Sequence, residues 1–376
     1  MTMRADDPGP AHRIHVRGIG DFLAVVPRML GFMPEQSLVV AGLRGDRGRL
    51  HVVMRYDLTA DQQERRDLAE HAAGMLRRND CSQAVAVGYG SGAEVTPVMD
   101  QFRAAAADAG VGVHDALRVD EGRYWSYLCT EPACHPAEGT PLGPENVAAP
   151  DLDRVGEVRG RREDLAAAIA PVTGERARDM EKFYARAVRD GAQLVSDNGR
   201  DALVAADLAA VQSAIAEYRD GGQADDERLA RVGVAVRDIR VRDDAWARMV
   251  PEHAADHSRL WADTTRTAPT GFAAAPASLL AFTEAQQGHG AQANIALDRA
   301  QAADPGYSMA GLLRQAVNAG IPPSELRLPM TPEEVAASYA DADDEAFPGG
   351  EDDEDYEDDD HHADIDDHDP DLGDAG

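Results

Sequence analysis

Residues 37–90 read SLVVAGLRGDRGRLHVVMRYDLTADQQERRDLAEHAAGMLRRNDCSQAVAVGYG. The reading of this stretch decides the fold class. SLVVAGL, with its β-branched residues between Pro34 and Gly42, has the pattern of a buried strand. RLHVVMRYDL is a second strand, and the turn-like RGDRG between the two predicts a hairpin. Thr59 or Asp61 can then cap a helix that runs through Arg78, with Leu68, Ala72 and Met75 at helical spacing. QAVAVGYG returns the chain to a buried strand. Strands interleaved with a helix point to a layered α/β domain.

The alternation continues on both sides. Upstream, RIHVRG is a short strand candidate, and Gly20-Asp21 opens the helix FLAVVPRMLGF. Downstream, a helix from about Val95 to Ala109 precedes a last hairpin, VGVHDALRV and RYWSYLC joined by a three-residue loop DEG, for which Gly122 supplies a positive φ. The α/β domain is therefore expected over residues 13–142, after a flexible amino terminus at 1–12. A Pro/Gly-rich connector, 143–160, separates it from an all-helical domain at 161–330. There Leu203, Leu208, Val211, Ile215 and Tyr218 trace one helix face, and Leu229, Val232, Val236 and Ile239 a second. Near its end, residues 276–305 resemble one tetratricopeptide unit, with Leu280, Gly288, Ala293, Leu297, Ala300 and Pro305 at that family's spacing. A solenoid needs about three such units, so a helical hairpin packed on the rest of the domain is expected.

The charge is uneven. The 376 residues carry a formal net charge of −31, yet from Met330 onward there are 21 Asp and Glu and no Lys or Arg, which leaves −10 for the rest. Like charges with little apolar surface predict a disordered acidic tail at 331–376. No arginine cluster offers the basic surface that nucleic acid requires. The longest apolar run is broken by Pro27 and Arg28, which predicts no membrane span. Three cysteines and no apolar leader suit the cytoplasm.

The chain is 5% aromatic, yet RYWSYLCTEPACHPAEGTP, residues 123–141, holds three aromatic side chains in four positions and two of the three cysteines. On a strand, Arg123, Trp125, Tyr127 and Cys129 share one face. That face reads either as ordinary packing or as a recognition surface in which Arg123 grips an anion beside a stacking indole. Cys129, Cys134 and His135 supply at most three zinc ligands on one loop, with two of them adjacent in sequence, so the ligand set is incomplete. Gly88, Gly90 and Gly92 form a glycine-rich turn without G-x-G-x-x-G spacing or a Walker lysine. His253 and His257 stand four apart, but H-A-A-D-H lacks a central glutamate base. There is no G-x-S-x-G elbow, and no catalytic set emerges.

GDFLAVVPRMLGFMPEQSLVVAGLRG, DALRVDEGRYWSYLC, CHPAEGTPL and ANIALDRAQAADPGYSMAGLLRQAVNAGIPP together resemble the bacterial family known as domain of unknown function 4192, over about residues 13–330. The resemblance implies a soluble bacterial protein, with the W-S-Y-x-C region and the E-G-T-P loop as hallmarks. It implies little about activity, because the family has no established biochemical role. The expectation is a non-catalytic, cofactor-free binding or regulatory protein with a small-molecule or protein partner. Its site would be formed by Arg123, Trp125 and Tyr127, with Cys129, Cys134 and Glu138 shaping the adjoining loop. The alternatives are a metal-assisted hydrolase using Cys129, Cys134 and His135, and a tetratricopeptide-like interaction scaffold.

Overall fold

The computed structural model of the chain describes residues 16, 18–45, 48–129, 131, 136–143, 158, 160–319, 321, 325, 326 and 330–346. The strand candidate RIHVRG and the flexible terminus lie almost wholly outside these residues. The same is true of most of the connector and of the tail beyond Ala346.

Six strands form one mixed sheet in the order β2-β1-β3-β4-β5-β6: β1 (Ser37–Arg44), β2 (Arg49–Asp57), β3 (Gln83–Tyr89), β4 (Gly112–Asp120), β5 (Arg123–Ser126) and β6 (Thr140–Pro141). β1 and β2 pair as the expected antiparallel hairpin, with a register shift after Gly42 that leaves His51 bulged. β3 and β4 are parallel, and helix α3 (Gly92–Asp108) crosses over between them. Ser91 caps α3, which therefore starts earlier than the expected Val95.

The central strands β1 and β3 are uninterrupted apolar runs because both their faces are covered. On one face, Leu38, Val40, Ala84 and Ala86 pack under α2 (Gln62–Arg78) and α3. Of the two candidate caps for α2, Asp61 is the one used, accepting from the backbone N–H groups of Gln63 and Glu64. On the other face, Val39, Ala41, Val85 and Val87 meet Leu23, Val26 and Leu30 of α1 (Ile19–Leu30). That same cluster includes Leu165 of α4 (Arg162–Ala168) and Ile295 of α11 (Gly290–Ala303), so helices from beyond the connector help cover the sheet.

The rest of the described chain to Asn318 is helical, as expected: α5 (Gly174–Asn198), α6 (Arg200–Arg219), α7 (Asp226–Ala235), α8 (Ile239–Ala247), α9 (Ala254–Thr267), α10 (Ala274–Gln286), α11 and α12 (Ser308–Asn318). Val211, Ile215, Tyr218, Leu229, Val232 and Val236 are buried, but Ile239 is 49% exposed. The helical run breaks between Ala235 and Asp238, and Asp238 caps α8, so Ile239 starts a new helix on a different face.

The expected tail beginning at 331 is corrected in its first part. Residues Pro332–Ala346 form helix α13, opened by a reciprocal cap between Thr331 and Glu334. Val335 is buried, and the Tyr339 hydroxyl donates to Asp243 of α8 at 2.7 Å. Two well-spaced contact residues offset the acidity that composition alone weighed against order.

Candidate functional site

The aromatic stretch begins at the β4–β5 turn. The loop holds two residues, Glu121 and Gly122, with φ of 46° and 73°, rather than the expected three. Positive φ at both positions suits the tight hairpin turn whose twist matches the flanking strands. The resulting register sets Asp120 opposite Arg123, and Arg118 opposite Trp125.

Arg118 consequently stacks on the indole, its guanidinium carbon 3.7 Å from the ring centroid. Such a contact contributes about 0.5–1 kcal/mol at a partly exposed site. The same guanidinium ion-pairs with Asp120 at 3.4 Å and borders the first turn of α3, where a Cβ on Gly92 would lie 3.3 Å from Nη1. Trp125 Nε1 donates to the Ala137 carbonyl at 3.0 Å. Gly139, at φ 80°, comes so close to the ring that an added Cβ would sit 2.5 Å from Cε2. Only glycine fits there, for both conformational and steric reasons.

Arg123 does not present a free fork. Its Nη1 donates to the carbonyls of Gly139 at 2.7 Å and Glu138 at 3.4 Å, so the arginine pins the returning loop. Only the backbone carbonyl of Glu138 is engaged in that bond, and the residue is exposed. Tyr127 is half-buried: it packs against the core under α2 and α3 and shares a 2.9 Å hydrogen bond with Thr96. Burial pushes its hydroxyl pKa up, opposed by Thr96 and Arg118. Cys129 lies past the end of β5, half-buried, its backbone N–H turned onto Ser126 Oγ. Cys134 and His135 lie outside the described residues. Among the described residues, no group of three or more His, Cys, Asp or Glu side chains could hold a metal ion.

Arg118, Thr96 and Gly139 contact these residues and were not among the expected ones. The signal for Arg118 was present in the hairpin: a two-residue turn sets it across from Trp125, whereas a three-residue loop sets Leu117 there.

The glycine-rich turn has two structural duties. Gly88 lies inside β3, where a Cβ would fall 2.1 Å from Val95, so it admits α3 onto the sheet. At the α3 N-terminus the Glu94 carboxylate accepts from Ser91 N, Ser91 Oγ and Gln36 Nε2, at 3.1, 2.6 and 3.2 Å. These bonds hold its pKa below the usual carboxylate range. The place where a phosphate would meet the helix is thus taken by the chain's own carboxylate.

His253 and His257 do not converge. His253 faces Asp256, while His257 is buried, bonded to the Arg248 carbonyl and depressed by desolvation to about 4. Between α5 and α7 a groove exposes Arg186, Arg228 and Arg231, each paired to an acid: Glu227, Glu217 and Asp207 respectively. No helix among the described residues is long and apolar enough to cross a membrane.

A family profile described as a domain of unknown function, DUF4192, matches residues 20–324. The chain belongs to this family. No curated protein and no solved structure matches it. The matched segment of this DUF4192 member includes both sides of the Arg118–Trp125 contact and the whole helical region through α12.

Proposed function

We propose that this DUF4192 protein acts by binding, not by catalysis, and that its recognition surface is the corner formed by Arg118, Trp125 and the 136–142 segment. The observation that carries this reading is the Arg118–Trp125 stack. A half-exposed indole is held by a guanidinium, a carbonyl and a close glycine, at the carboxyl ends of the parallel pair β3 and β4. Ligands of α/β sheets gather at that edge. The side chains are fixed before anything binds, so little ordering entropy opposes association. The two described grooves lie elsewhere, along α5, and a flat aromatic corner suits contact with another protein.

The test uses the full chain. Candidate partners are assayed against wild type and Arg118→Met, a variant that keeps the aliphatic stem over the ring. A cognate partner should bind the variant at least tenfold more weakly, while the melting temperature falls by no more than a few degrees. It should also slow amide exchange at 123–127 and 136–142. A partner that binds tightly yet leaves exchange in those segments untouched would place recognition elsewhere.

A further inference from the structure

The exposed flank of α5 supports an inference that does not depend on the corner. α5 is 25 residues long, about 37 Å at 1.5 Å per residue. Met180, Tyr184, Ala187 and Gly191 bury its inner face. Its apolar arc is wider than that face. Ala185, Val188, Ala192 and Val195 run along the flank at spacings of three, four and three, and all four are exposed, Val188 by 41% and Val195 by 38%. This is the repeat of a coiled-coil seam. Beside it lies a groove lined by Glu181, Tyr184, Ala185 and Val188, closed by Pro269 and Phe272. Positions i, i+3, i+4 and i+7 of one helix form the hole that receives a single side chain from a facing helix.

We propose that α5 is a self-association surface, on which two copies pair their α5 helices antiparallel across a two-fold axis. The symmetry places Val188 against Ala192 of the second copy and Ala185 against Val195 of the second copy. Val195 of each chain then enters the groove of the other. Charge favours the antiparallel sense. Residues 174–189 hold five basic and three acidic side chains, net +2, whereas 190–198 hold Asp190 and Asp197 and no base. Each basic half lies along an acidic half, with Lys182 level with Asp197 of the second copy. A parallel pair would set like against like.

The test is sedimentation velocity of the full chain at tens of micromolar. Wild type should sediment at twice its 40.2 kDa chain mass. Val195→Glu and Val188→Glu, both at exposed positions, should sediment as monomers with unchanged melting temperature. The double variant Ala185→Cys/Val195→Cys should form a disulfide-linked dimer on mild oxidation, with wild type as the control for the native cysteines. A monomeric wild type, a dimer indifferent to both glutamates, or a double variant that fails to cross-link overturns the proposal.

Discussion

His257 should make the helical region acid-sensitive in a way that can be separated from every other titration. The ring is 2% exposed, one nitrogen donates to the Arg248 carbonyl, and Nδ1 is buried without a partner. Burial lowers its pKa from 6.5 to about 4, reinforced by nearby His253 and Arg219 and opposed by the Arg248 carbonyl and Asp256. Because the folded value lies below the unfolded one, the unfolded chain binds the extra proton. Stability is therefore lost as pH falls through the window from 6.5 to 4. At 1.36 kcal/mol per unit, a shift of about 2.5 units amounts to about 3.4 kcal/mol, of which about 2 kcal/mol is lost by pH 5. Urea unfolding of wild type and His257→Gln at pH 7 and pH 5 measures the difference. The glutamine keeps an amide donor but has no proton to gain, and the carboxylates common to both proteins cancel. Wild type should lose about 2 kcal/mol more than the variant between the two pH values. Parallel losses would refute the assignment of His257 as a neutral, desolvated core residue.

Gly139→Ala should destabilise the corner by at least 1–2 kcal/mol, roughly the cost of a left-handed backbone for an L residue, because its Cβ also meets the Trp125 ring. Thermal melting measures the cost, and faster exchange at 136–142 locates it; a melt within a degree of wild type would contradict the contact. Tyr339→Phe removes the hydroxyl bonded to Asp243 and should cost about 0.5–1.5 kcal/mol of α13 docking. Faster exchange confined to 332–346 would register it, and unchanged exchange there would count against the docked helix.

The central sheet was legible because its strands announce themselves. β1 and β3 are apolar on both faces, and a two-sided core leaves few other ways to fold such runs. The site was less legible because it turns on one residue of register. Reading DEG as a three-residue loop sets Leu117 across from Trp125; the two-residue turn sets Arg118 there, and the stacking partner of the indole changes from leucine to arginine. A strand pattern also shows which residues share a face but not what they bond to. Arg123 and Trp125 lie two apart on β5, yet the arginine's donors are directed at the carbonyls of Glu138 and Gly139, which only the returning chain could reveal. The expected helical hairpin near residue 290 exists as α10 and α11. Its first helix buries every residue from Ala275 to Thr283, because an all-round apolar helix belongs inside a core. Buried on all sides, α10 has no face to offer a peptide.

The family match ends at 324 and α13 begins at 332. The Arg118–Trp125 corner and the α5 flank both lie inside the matched segment. α13 adds a contact of its own: it covers α8 through Val335 and Tyr339, where the Arg240 guanidinium lies 5.5 Å from the Tyr339 ring centroid. Val335 and the Tyr339 hydroxyl each contribute on the order of 1–2 kcal/mol to that contact. The core of the region beneath, with Val211, Trp261, Leu279 and Leu297, does not include α13. The acidic helix is therefore an attachment to α8 rather than to the sheet.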